Sequence, residues 1–211
     1  MLEKLFLSGN VISQFMQVLP ISLLAAVVFV YVRRCSRKRR FSSINKEREA
    51  VLAVFVCYLT GLLSLVWTPN NFWTYIWFYL FNGYPGTTIG PLFKLEYSLI
   101  PSIVRYWRGE LTGGSWVRFM AVGNVLMFIP LGFLLPLLDR RVQAKNMVFV
   151  FFSCSLLIEI IQPVFGRSFD VDDLIYNTIG AALGFALFTL FRMLCPKTVA
   201  GCRDPGNRSQ L

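Results

Sequence analysis

The chain has 211 residues, of which 55% are hydrophobic and only 15% are charged, against about 25% charged in a soluble domain, so its solvent is expected to be lipid. The net charge of +10 falls in blocks beside apolar runs, which points to membrane orientation and away from nucleic acid. The absence of His excludes imidazole as a base, a proton shuttle or a metal ligand.

The first apolar run is VISQFMQVLPISLLAAVVFVYV, residues 11–32, with Pro20 as a predicted kink. It is too long for a signal-peptide core, so a retained span is expected. The block RRCSRKRR, residues 33–40, follows at once and places that helix end in the cytoplasm. The second predicted span is residues 50–68, ending at the turn signal TPNN. A long stretch, 69–116, comes next. Its aromatic part, NFWTYIWFYLF, is about half a span and predicts an interfacial or re-entrant helix, with a short extra span as the alternative. FNGYPGTTIGP is loop, and EYSLIPSIVRYWRGEL is amphipathic and suits a membrane surface.

Three further spans are predicted over residues 116–138, 146–165 and 173–194, separated by the basic loop DRRVQAK and the acidic loop GRSFDVD. The tail from 196 to 211 looks flexible and cytoplasmic. With the amino terminus outside and the carboxyl terminus inside, fifteen of the 21 Lys and Arg fall on inner segments. The predicted fold is an all-α, polytopic membrane bundle of about five helices, with a long aromatic extracytoplasmic segment. Residues 1–49 hold the first helix and its basic loop, 50–195 the membrane domain, and 196–211 the tail. The five cysteines form no C-x-x-C pair and straddle spans and inner segments, so no disulfide framework is expected.

Polar groups inside spans are costly and usually functional. Asn124, Glu159, Gln162 and Asn177 come from three predicted helices, yet all lie ~5–12 Å below the outer surface at the helical rise per residue. Arg167, Asp170, Asp172 and Asp173 sit just above them. The expected arrangement is a polar pocket opening outward. Ser155, Glu159 and Gln162 share one helix face; Asp173, Asn177, Gly180 and Gly184 share another; Asn124, Phe128 and Gly132 form a third stripe. Gly132, Gly180 and Gly184 are expected to let helices approach closely. Pro130 frees the carbonyl of Leu126, which could face the same pocket. Asp170 also fits a helix N-cap, Asn124 and Asn177 could bond to each other, and Glu159 could pair with Arg167.

Three stretches, GNVLMFIPLGFLLP at 123–136, IEIIQ at 158–162 and the series Arg167, Asp170, Asp172, Asp173, Asn177, Gly180 and Gly184, resemble the VanZ-like family. EYSLIP at 96–101 resembles the loop that precedes them, with Ser98 and Ser102 standing where the family has Asn and Phe. The resemblance implies a multi-pass protein of the bacterial cytoplasmic membrane that lowers susceptibility to teicoplanin, a lipid-tailed glycopeptide antibiotic, or that maintains the cell envelope.

Three modes of action follow. In the first, the pocket binds a membrane lipid headgroup or a lipid-linked envelope precursor, with no bond broken and no cofactor; a teicoplanin-type glycopeptide is a further candidate partner. The second is an enzyme on a lipid-linked phosphate, with Mg or Ca on Asp170, Asp172 and Asp173, and with Glu159, Asp172 and Asp173 as catalytic candidates. A small transporter built around Glu159 is the third.

Overall fold

No water satisfies the backbone in a hydrocarbon solvent, so each spanning segment must close its hydrogen bonds internally and the long apolar runs become helices. A computed structural model of the chain describes residues 2–38, 45–110 and 115–203. The expected basic positions Arg39 and Arg40, and the tail from 204 to 211, lie outside the described residues. In chain order the elements are α1 (Leu2–Leu7), α2 (Val11–Lys38), α3 (Lys46–Val66), α4 (Phe72–Asn82), β1 (Tyr97–Ser98), α5 (Ser102–Trp107), α6 (Ser115–Leu138), α7 (Met147–Ile161), a 3-10 turn (Gln162–Phe165), β2 (Phe169–Asp170), α8 (Val171–Leu194) and α9 (Pro196–Arg203).

Among the described residues, five segments are long and apolar enough to cross a membrane: Ile12–Ser36, Lys46–Val66, Ala121–Leu138, Met147–Phe165 and Val171–Leu194. The protein is therefore an all-α, multi-pass bundle, and its spans lie where the apolar runs predict them. Pro20 sits inside the continuous α2. α4 has 11 residues, about 16 Å at the helical rise, which is too short to span. It lies against the start of α2, with the Trp77 indole donating to the Gln17 carbonyl at 2.8 Å and its ring set against that of Phe6 at a tilt of 42°.

Two stretches differ from expectation. EYSLIPSIVRYWRGEL is not one amphipathic element but a two-residue strand, a break at Pro101 and the six-residue α5. Pro101 disfavours helical backbone at the residue before it, and β1 instead pairs in parallel with β2. The expected flexible tail is, over Pro196–Arg203, the helix α9. Val199 and Cys202 are buried there, and Asn45 and Arg48 donate to the carbonyls of Gly201 and Cys202 at 2.6 and 2.7 Å. These partners lie about 150 residues upstream, beyond the reach of a local composition argument.

α6 and α8 are the most extensively packed pair. Between them lies the core of Phe128, Leu131, Ala181, Phe185 and Phe188. A Cβ added to Gly180 or Gly184 would strike the carbonyls of Val125 and Ile129, and one added to Gly132 would strike that of Ala181. Pro130 stands in the same helix, and the Tyr58 hydroxyl donates to the nearby Met127 carbonyl at 2.9 Å.

The carboxyl end of α6 is closed by arginines. Arg203 donates twice to the Pro136 carbonyl, at 3.0 and 2.6 Å, and Arg48 donates to that of Leu138 at 3.2 Å. Cations suit the negative end of a helix dipole. Arg33 pairs with Glu49 at the same end of the bundle. This basic end is the one the charge asymmetry assigns to the cytoplasm.

The α6–α8 contact predicts unequal outcomes for two glycine substitutions. Gly180→Ala should destabilise the protein by about 1–3 kcal/mol, because the methyl meets backbone that cannot swing aside. Gly123→Ala, with open space at its Cβ, should be neutral or slightly stabilising. Thermal unfolding of the detergent-purified variants measures both; equal midpoints would refute the close contact.

Candidate functional site

The site forms where α7 ends. The chain leaves α7 through the 3-10 turn and reverses at Gly166, whose φ of +74° and close approach to the Pro91 carbonyl leave no room for a side chain. The reversal brings Arg167 to Asp170 back over the last turn of α7. Glu159 there has 0% exposure. Its Oε2 accepts the Asp170 backbone N–H at 3.2 Å, and its Oε1 has no hydrogen-bond partner.

One turn earlier on the same face, Ser155 is also fully buried and its Oγ accepts from Asn177 Nδ2 at 3.1 Å. Asn177 Oδ1 is left without a partner. Asn124 donates to Asp173 rather than to Asn177. Arg167 donates to the Leu65 carbonyl at 3.4 Å. Burial lowers the pKa of its guanidinium, while the carboxyl groups of Asp173 and Glu159 raise it. The expected Glu159–Arg167 partnership is thus a shared electrostatic neighbourhood, with Asp173 the stronger of the two carboxyl influences.

The three aspartates part company. Asp170 is the N-cap of α8, its side chain accepting the Asp172 N–H at 2.9 Å. Burial raises its pKa and that cap bond lowers it. Asp172 accepts the Ser102 N–H with both oxygens, at 3.0 and 2.9 Å, and so ties α8 to the first residue of α5. Asp173 faces inward to Asn124. Among the described residues no three His, Cys, Asp or Glu side chains are arranged to hold a metal ion, so the structure does not gather the candidate set Asp170, Asp172 and Asp173.

What it does gather is a cavity of about 460 Å³. Asn124, Glu159, Gln162, Arg167, Asp173 and Asn177 line it, while Asp170 and Asp172 stand outside the lining. The size falls in the range of small-molecule sites. It lies at the end of the bundle opposite the arginine-capped end. From α6 the lining is Gly123, Asn124, Met127 and Phe128, so the expected contribution of the Leu126 carbonyl is not seen.

The sequence reading missed the side of the cavity formed by Gln14, Gln17, Thr68, Asn70 and Thr74. Gln17 is buried and donates to the Phe6 carbonyl at 2.6 Å and to Thr74 at 3.3 Å. The signal was present: two glutamines spaced by three in an apolar run meet the same criterion that singled out Asn124.

A family model described as VanZ/LLP1 matches residues 21–192. The chain belongs to this family. It is similar to Protein VanZ of Enterococcus faecium, with 34% identity over 107 residues that make up 47% of this chain and 64% of that protein. The match thus spans less than two thirds of that relative. No solved structure matches the chain. The VanZ/LLP1 stretch begins inside α2 and contains every cavity residue except Gln14, Phe15 and Gln17, which precede it.

Different partners for adjacent aspartates predict different phenotypes. Asp172→Ala should speed hydrogen exchange at the Ser102 amide by about tenfold or more, since a hydrogen bond to a charged group is worth roughly 1.5–3 kcal/mol. Asp173→Asn should leave that amide unchanged. Equal acceleration in both variants would contradict the separate roles.

Proposed function

We propose that this VanZ-like protein resides in the bacterial cytoplasmic membrane and lowers susceptibility to lipid-tailed glycopeptides of the teicoplanin type, or maintains the envelope those drugs attack. It does so by binding a lipid headgroup or lipid-linked envelope precursor in its polar cavity, which faces the outside. Family membership supports the first half of this reading. The second half is carried by one observation: Glu159 Oε1 and Asn177 Oδ1 are buried, lack partners and belong to residues that line a cavity. Buried polar atoms are ordinarily paired, so such atoms on a cavity wall are natural contacts for a ligand. The outward orientation rests on the charge asymmetry, because the cavity is at the end away from Arg48, Arg140, Arg141 and Arg203.

Binding is favoured over bond cleavage because Asp172 is already committed to the Ser102 amide. A cation shared by Asp172 and Asp173 would have to break that tie.

Drug susceptibility in a sensitive Gram-positive host tests the reading. Wild type should raise the inhibitory concentration of teicoplanin and leave that of vancomycin, which lacks the lipid tail. Glu159→Gln and Asp173→Asn, at matched membrane levels, should lose the protection. Protection that survives both substitutions would make the cavity structural. The absence of protection in wild type would remove the resistance reading.

A further inference from the structure

The chemistry of the cavity wall indicates what kind of headgroup it takes. Its two unpartnered buried atoms, Glu159 Oε1 and Asn177 Oδ1, are both acceptors in the described arrangement. The cavity's charged side chains are two carboxyl groups, Glu159 and Asp173, and one guanidinium, Arg167. Four donors of the wall are engaged within the protein: Asn124 with Asp173, Asn177 Nδ2 with Ser155, Gln17 with the Phe6 carbonyl and one Arg167 N–H with the Leu65 carbonyl. An anion entering this space would meet two carboxyl groups against one guanidinium. A primary ammonium carries three donors and a positive charge.

We propose that the cavity is a primary-ammonium site, with Glu159 and Asn177 as its acceptors. This rests on the ligand-binding reading above and narrows its chemistry. The ammonium could come from an aminated lipid headgroup or from a free amine. Glu159 supplies the charge-assisted bond, because its other oxygen is already held by the Asp170 amide and cannot turn away without releasing the loop. Asn177 supplies the second acceptor, because its amide nitrogen is anchored on Ser155. Trp73 lies in the same wall and offers an intrinsic reporter.

The test uses the full chain in a non-ionic detergent, followed by tryptophan fluorescence. The titrants are short-chain phosphatidylethanolamine, its trimethylated counterpart phosphatidylcholine, phosphatidylglycerol and free ethanolamine. Phosphatidylethanolamine should saturate the signal and bind at least about tenfold tighter than the other two lipids, the expected worth of a charge-assisted hydrogen bond. Glu159→Gln should erase that preference. Saturation by ethanolamine alone would identify a free amine as sufficient, and its failure beside a lipid response would assign the site to the headgroup; either supports the ammonium.

Phosphatidylcholine binding as tightly as phosphatidylethanolamine, or phosphatidylglycerol binding tighter, would overturn the proposal. Both comparisons are made on wild type and do not depend on the variant folding. An ammonium preference without drug protection would remove the resistance reading and leave this site standing. Protection without an ammonium preference would do the reverse.

Discussion

The backbone contact between α6 and α8 is the constraint on which the site depends. Lipid gives no hydrophobic drive for helices to associate, so van der Waals packing at short range must supply it. Gly180 and Gly184 let the carbonyls of Val125 and Ile129 sit where side chains would otherwise be. The same pairing brings Asn124 within reach of Asp173 and buries Phe128 and Ala181 beneath them. Separate these helices by the width of a methyl group and the cavity loses one of its walls.

Around that pair, the acidic groups divide between building the site and facing it. Asp170 caps α8, Asp172 grips the Ser102 amide, and one oxygen of Glu159 holds the Asp170 amide. The segment between α4 and α5 is thereby fastened to the α7–α8 loop, along with the β1–β2 pairing and the Lys94 N–H to Pro163 carbonyl bond at 3.0 Å. Backbone N–H groups of that loop would be orphaned without these acceptors. One carboxylate of each kind remains turned to the cavity: Asp173, steadied by Asn124, and the free oxygen of Glu159.

The parts of this arrangement that were legible in the sequence are those governed by local rules. Span length and apolar content mark the five crossing helices, and counting residues from the helix ends puts Asn124, Glu159, Gln162 and Asn177 in one depth band. Charge blocks mark the end now closed by Arg48 and Arg203. What was not legible depends on contacts between distant residues. The fate of Asp172 is set by an amide 70 positions away, which no spacing within D-x-D-D reveals. The docking of α9 depends in the same way on Asn45 and Arg48. The stretch before α5 misled because its apolar spacing suits a helix, while Pro101 and the edge of β2 impose an extended start. Gln17 was legible by the rule applied to the other spans, and was overlooked because its run reads first as an orientation signal.

A carboxylate oxygen with no partner is an expensive feature for a membrane bundle, of the order of 1–3 kcal/mol or more when charged. An apolar side chain at position 159 would avoid the cost, but it would give up the acceptor for the Asp170 amide. A Gln there would keep that acceptor and remove the charge. Holding the loop therefore accounts for a polar group at 159 but not for a carboxylate. The carboxyl group makes sense where something in the cavity can meet its second oxygen. Water can do so in part, since a space of about 460 Å³ has room for several molecules. A group that displaces such water must replace its hydrogen bonds to gain affinity. For two acceptors on a wall with more carboxyl groups than cations, the replacement must be a donor, and a positive one gains most.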